Sequence, residues 1–223
     1  MATSTFLKSD HQIQEAVQEE LAWIPDLDDA GIGVAVKDGV VTLSGEVDDY
    51  TEHLAANGAA FRISGVTTVV DDVVIHPSSY AWTVTETDIA KNVEDAIGWV
   101  AKLPDSVRAT VQKHTVVLRG EVRWNYQREA ARRAVERVKG VVLVVNEITL
   151  SARPSVADAE GKIRKALIRN ATFDGNQVHV TVTGTTATLS GHVRSWAERR
   201  QAEKAAWSSP HVTHVANNIH ITA

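Results

Sequence analysis

One five-residue block occurs three times in this chain, and its recurrence constrains the fold more than any other feature. Leu43-Ser44-Gly45-Glu46-Val47 returns as Leu118-Arg119-Gly120-Glu121-Val122 and again as Leu189-Ser190-Gly191-His192-Val193. Gly45 and Gly120 stand 75 residues apart, Gly120 and Gly191 71 apart. A helical pattern precedes each block; an Ala-rich helix and a Val-rich strand follow it. Each copy is thus one supersecondary unit of an internal repeat. The unit reads αββαβ, and three copies fill the 223 residues with no room for a large catalytic domain. The units run over residues 9–77, 86–151 and 157–222. Domains of about 65–70 residues bury a modest fraction of their surface and are individually marginal. Packing between units, or between chains, is therefore expected.

Unit 1 opens with Ile13, Val17 and Leu21 at helical spacing and ends that segment at Trp23-Ile24-Pro25. Unit 2 places Ile89, Val93, Ile97 and Trp99 each 76 residues further on, and unit 3 keeps Ile163 and Leu167 but has Arg169 where Trp stood. A hairpin follows. Ile32, Val34 and Val36 alternate with small or polar residues, Lys37-Asp38-Gly39 turns the chain, and Val41, Leu43 and Val47 return it. Such period-2 alternation marks strands with one buried face. It recurs at Val178, Val180 and Val182, then Ala187 and Leu189. The second helix is Ala-rich (Ala55, Ala56, Ala59 and Ala60 in unit 1), which suits close packing on a sheet. Gly45, Gly120 and Gly191 read as structural: a missing Cβ permits a bulge or close approach by the second helix.

These residues resemble the BON domain, the bacterial osmotic-stress and nodulation module, in three tandem copies. The likeness rests on the Gly39 to Val47 hairpin, Val117 to Val122, Leu189 to Val193, and the closing strands that begin Gly65-Val66, Gly140-Val141 and His211-Val212. Asn146 and Asn217-Asn218 match the family's Asn-rich approach to its last strand, where unit 1 has Asp71-Asp72. The resemblance implies an α+β fold with both helices on one face of a three-stranded sheet. It also implies a non-enzymatic binding role at phospholipid surfaces under stress.

Composition narrows the chemistry. There is no cysteine, which excludes disulfides and thiolate catalysis. The first ten residues hold no apolar signal region, and no stretch approaches the roughly 20 apolar residues of a membrane span. A cytoplasmic protein is expected, peripheral to the inner membrane if it meets one. The net charge of −5 hides an asymmetry. Residues 1–76 hold 14 acidic against 3 basic side chains, residues 77–152 hold 9 against 11, and residues 153–223 hold 5 against 9. An acidic first unit facing basic units of another copy would give a homo-oligomer.

No catalytic constellation emerges. Ser44 and Ser190 lie outside any Gly-x-Ser-x-Gly elbow, and the sister repeat has Arg119 at that position. Asp28-Asp29, Asp48-Asp49 and Asp71-Asp72 read as solvated turns and strand edges. Gly31-Ile32-Gly33 leads into a strand rather than the helix a phosphate loop needs. No cofactor is implied. In unit 3, alternation places His179, His192, His214 and His220 on the open sheet face; they are the candidates for a transition-metal site, but no second ligand type or close spacing favours metal and none is expected.

The candidate binding surface is basic and aromatic. The second helix of unit 2 carries Arg128, Arg132, Arg133 and Arg137, with Trp124 and Tyr126 at its start; unit 3 echoes this with Trp196, Arg199, Arg200 and Lys204. Cations beside amphipathic rings suit an anionic lipid surface, at about 1 kcal/mol per near-surface Lys or Arg. The pI of about 6.0 argues against nucleic acid. The expectation is a non-enzymatic stress protein that binds an anionic membrane surface or a protein partner. The alternatives are a small-ligand or potassium-type ion sensor and a self-assembling scaffold.

Overall fold

The structure, a computed structural model, describes residues 8–25, 27–76, 84–152, 159–169 and 177–222. Every repeat runs helix, hairpin, helix, strand. Repeat 1 comprises α1 (Asp10–Ala22), β1 (Ile32–Lys37), β2 (Val40–Val47), α2 (Tyr50–Ala60) and β3 (Thr68–Ile75). Repeat 2 comprises α3 (Glu86–Gly98), β4 (Arg108–Gln112), β5 (Thr115–Arg119), β6 (Glu121–Val122), α4 (Asn125–Glu136), β7 (Leu143–Asn146) and β8 (Thr149–Leu150). Repeat 3 comprises α5 (Ala159–Ile168), β9 (Val178–Thr183), β10 (Thr186–Val193), α6 (Trp196–Trp207) and β11 (His214–Ile221). Each repeat has its own three-stranded sheet with the second hairpin strand in the centre, and β6–β8 prolongs that of repeat 2. The hairpins are antiparallel, and the closing strand runs parallel to the central one in repeats 2 and 3. Among the described residues no sheet is shared between repeats.

Local chemistry explains the elements. Two-residue hairpin turns need positive φ, which Asp38-Gly39 (52° and 74°) and Lys113-His114 (47° and 60°) supply. Strand alternation then sends Leu43, Leu118 and Leu189 inward, where all three are fully buried. In repeat 3, α5 contributes Ile163 and Leu167 and α6 contributes Ala202, Ala205 and Ala206 to the core around Leu189, so both helices cover one face. The other face, with His179, His192, His214 and His220, is open. Burying a Leu or Val side chain contributes about 1.5–3 kcal/mol.

The second helices start on a repeated device. Asp49 Oδ1 accepts the Glu52 N–H at 2.9 Å, and Glu52 Oε2 reaches back to the Asp48 N–H at 2.8 Å. Ser195 and Glu198 do the same in repeat 3, at 3.2 and 2.7 Å. Repeat 2 has only the backward half: Gln127 Oε1 accepts from the Arg123 and Trp124 N–H groups. Asp48-Asp49 is therefore a helix start as well as a turn. A second device shapes the last strand. Asp71, Asn146 and Asn217 each accept the N–H two residues on, at 3.2–3.3 Å, turning Val73, Ile148 and Ile219 into the core.

The repeated glycines are explained differently from the sequence expectation. Gly45, Gly120 and Gly191 have φ of 124°, 136° and 121°. A Cβ there would stand 2.0 Å from the Gly31 carbonyl oxygen, 2.5 Å from that of Ser106 and 2.0 Å from that of Gln177. The close neighbour is thus the backbone entering the first hairpin strand, not the second helix. A second difference concerns Trp99. It was grouped with the apolar stripe of α3, but it caps the helix and is 88% exposed, as Trp23 is on α1 (83%).

The chain forms two compact bodies, one of residues 1–45, 55–74 and 155–223, the other of residues 46–54 and 75–154. Their boundary runs through repeat 1. In the second body Tyr50, Leu54 and Ile75 of repeat 1 join the core of repeat 2 around Leu118. In the first body Phe61 of repeat 1 packs on Trp196 of repeat 3, with ring centroids 4.6 Å apart. Repeat 2 thus completes its core with side chains of repeat 1, whereas the core of repeat 3 is built from its own residues.

Gly191→Ala is expected to destabilise the chain by ~2 kcal/mol or more, from positive φ and the blocked carbonyl. Gly98→Ala, in a helix with nothing near its Cβ position, should stabilise by up to ~1 kcal/mol. Urea unfolding of both variants measures the contrast.

Candidate functional site

The ten basic and aromatic candidates divide by what they touch. On α4, Gln127, Ala131 and Val135 face inward, so at 100° per residue Tyr126, Arg133 and Arg137 share the outward face. Tyr126 is 53% exposed, and Arg133 and Arg137 are exposed beside it. Arg133 Nε donates to the Glu129 carbonyl at 3.2 Å, which directs its side chain along the helix. Arg200 and Lys204, one turn apart on α6, are also exposed.

The other five are committed to packing. Arg132 lies between Glu129 (3.1 Å) and the buried Glu136 (2.8 Å). Thr51 of repeat 1 donates to the Glu136 carbonyl at 3.4 Å. Arg128 sits 3.8 Å from the Glu129 carboxylate, and its carbonyl accepts from Asn146 at 3.1 Å. Trp124 is half-buried at the start of α4. Trp196 Nε1 donates to the Thr67 carbonyl at 3.2 Å while its ring meets Phe61. Arg199 stacks 4.6 Å over that ring and donates to the Asn217 carbonyl at 3.0 Å. A half-buried cation–π contact of this kind contributes about 0.5–2 kcal/mol. Trp196 thus joins repeats 1 and 3 within one body, and Arg199 braces its ring from repeat 3.

The four exposed histidines are not one cluster. His192 and His220 are cross-strand partners with ring centroids 5.8 Å apart. His179 pairs with Ser190, and His214 with Thr186 at the far end of the sheet. His211 faces the other way and is buried, its Nε2–H donating to the Gly184 carbonyl at 2.7 Å. Among the described residues no three His, Asp or Glu side chains are grouped to hold a metal ion. No helix there is long and apolar enough to cross a membrane. In the second body an open groove of about 680 Å³ runs between α3 and the edge strand β4, with Ile97, Val100, Leu103, Val107 and Val111 on its apolar wall.

Sequence reasoning missed three residues. Trp23 stands two positions after Leu21, about 200° off the buried stripe, and Trp99 repeats that phase; helical angle alone would have placed both outside. Tyr50 carried no such signal. Its partners come from another repeat: burial, and then the Glu136 carboxylate, push its hydroxyl pKa above the ordinary tyrosine value.

The BON-domain family model matches residues 9–77, 85–152 and 155–223. The chain belongs to the BON-domain family. It is a three-copy member, and BON domains are a non-catalytic binding family associated with phospholipid and osmotic-stress binding. No curated protein matches the chain. Among solved structures, the chain is similar to the C-terminal domain of CdsD, a structural protein of the type III secretion system of Chlamydia trachomatis. Identity there is 15% over 100% of both chains, with a TM-score of 0.24. It is also similar to the PrgH periplasmic domain, at 11% identity over 86% of this chain and 95% of that one, with a TM-score of 0.23.

A buried tyrosine whose pKa is raised on folding stabilises the fold in its neutral form. That contribution is complete below the unfolded value of about 10 and is lost as pH rises through the higher folded value. The thermal midpoint of this BON protein should therefore fall above about pH 10, and Tyr50→Phe should make that fall shallower. Scanning calorimetry from pH 8 to 11 on both proteins checks this.

Proposed function

We propose that this BON protein is a non-enzymatic stress-response module that binds anionic phospholipid surfaces. The observation that carries the reading is the exposed stripe of Tyr126, Arg133 and Arg137 on α4, supported by Arg200 and Lys204 on α6. A tyrosine settles at headgroup level, and each near-surface arginine adds about 1 kcal/mol. In this reading the protein works from the cytoplasmic side, where anionic lipid supplies the negative surface. Such binding is screened by salt, since the Debye length shrinks from about 10 Å at 0.1 M to about 3 Å at 1 M.

Co-sedimentation with phosphatidylglycerol-containing vesicles tests it. Reversing Arg133 and Arg137 to Glu should weaken binding at least ~10-fold, with far-UV circular dichroism unchanged. Arg132 is left intact, because its partner Glu136 is buried and reversal would strand that carboxylate. Retained binding in the double variant, or equal binding to neutral vesicles at 1 M salt, would sink the reading.

Self-association is a second reading, favoured by Trp23, exposed at 83% in the acidic first repeat. An indole exposed at that level in an acidic repeat offers a cation of another copy a ring face to stack on. Light scattering should then give a mass above 24.2 kDa at low salt that Trp23→Ala returns to the monomer. A monomer mass for the unaltered protein at micromolar concentration would exclude it.

A further inference from the structure

We propose that the open sheet face of repeat 3 carries a divalent transition-metal site whose two protein ligands are His192 and His220. The argument begins with register. β10 and β11 run parallel, and His192 and His220 are direct Cα partners, so both side chains leave the same face side by side. Neighbouring strands lie about 4.8 Å apart. The two rings already stand 5.8 Å apart between centroids, tilted 34° to one another, and both are exposed. One ion bound at about 2.0–2.1 Å from each imidazole nitrogen requires the two nitrogens to be roughly 3 Å apart. The backbone of both residues is held by the ladder, so in this proposal the approach comes from rotation of the two exposed rings.

The surroundings fit the same chemistry. The outward positions of β9, β10 and β11 hold only His, Thr, Ser, Asn and Ala, so no strand residue on that face adds a cation beside the site. Imidazole suits zinc, copper and nickel, and a face without carboxylates gives nothing to the hard ions calcium and magnesium. Repeat 2 has Glu121 opposite Thr149 at the equivalent cross-strand position, which removes both ligands. Repeat 1 has Glu46 at the block position of His192, so the histidine pair belongs to repeat 3. Two protein ligands leave the remaining coordination positions to water or to an incoming group, so the ion is exchangeable rather than structural.

Isothermal titration of the full chain with zinc chloride at pH 7.5 tests this, with imidazole NMR shifts as the site-resolved readout. The expected result is one saturable equivalent, reversed by EDTA, that shifts the ring resonances of His192 and His220 together. His192→Ala and His220→Ala should each lose the saturable event with unchanged circular dichroism, and His214→Ala, at the far end of the same face, should keep it. Absence of saturable binding overturns the proposal. So does binding that survives in both single variants, and so does an equal loss in His214→Ala, which would mark diffuse histidine binding.

Discussion

In every repeat the central strand brings a glycine against a carbonyl of the chain entering the first hairpin strand, in a space that a Cβ would fill. Two residues earlier on the same strand a leucine points into the core. Close approach fixes how the two hairpin strands meet, and that register puts Leu43, Leu118 and Leu189 at the centre of their cores. With the buried face set, the helices have one place to go. The Ala-rich second helix lies on that face, and the Asp or Asn of the last strand turns the next apolar residue under it.

Period-2 alternation, the hairpin turns and the recurring block were legible in the sequence because each is a local relation between neighbours in the chain. The helix stripe of Ile13, Val17 and Leu21 was legible for the same reason. What resisted reading were contacts made between repeats. Arg132 looks like any exposed arginine until Glu136 is seen to be buried beneath it, and Trp196 looks like a membrane anchor until Phe61 and Thr67 receive it. Tyr50 belongs in sequence to repeat 1 and in packing to the core of repeat 2. The Trp196 and Tyr50 contacts are non-local and periodicity does not encode them; Arg132 and Glu136 are i,i+4 neighbours on one helix, and only the burial of Glu136 escapes the sequence.

Those pairings also decide what is left for binding. Repeat 2 completes its core by drawing side chains from repeat 1, Trp196 of repeat 3 packs on Phe61, and the residues so used are withdrawn from the surface. Among the described residues, what stays exposed includes the α4 stripe, two cations on α6, the tryptophans that end α1 and α3, and the histidine face of repeat 3. A BON chain with three copies thus presents different surfaces from similar folds. Exposed positions outside the shared core and capping residues differ between repeats because the fold does not need them.

Side-chain footprinting read by mass spectrometry tests the central claim, that the fold divides the basic residues into structural and surface sets and that lipid meets only the second. Arginine- and lysine-directed reagents would be applied with and without vesicles of anionic phospholipid. The account predicts that Arg133, Arg137, Arg200 and Lys204 label readily in the free protein and that Arg133 and Arg137 become protected on vesicles, while Arg132 and Arg199 label slowly in both. Equal labelling of Arg132 and Arg133 in the free protein, or vesicle protection that spares Arg133 and Arg137, would contradict it.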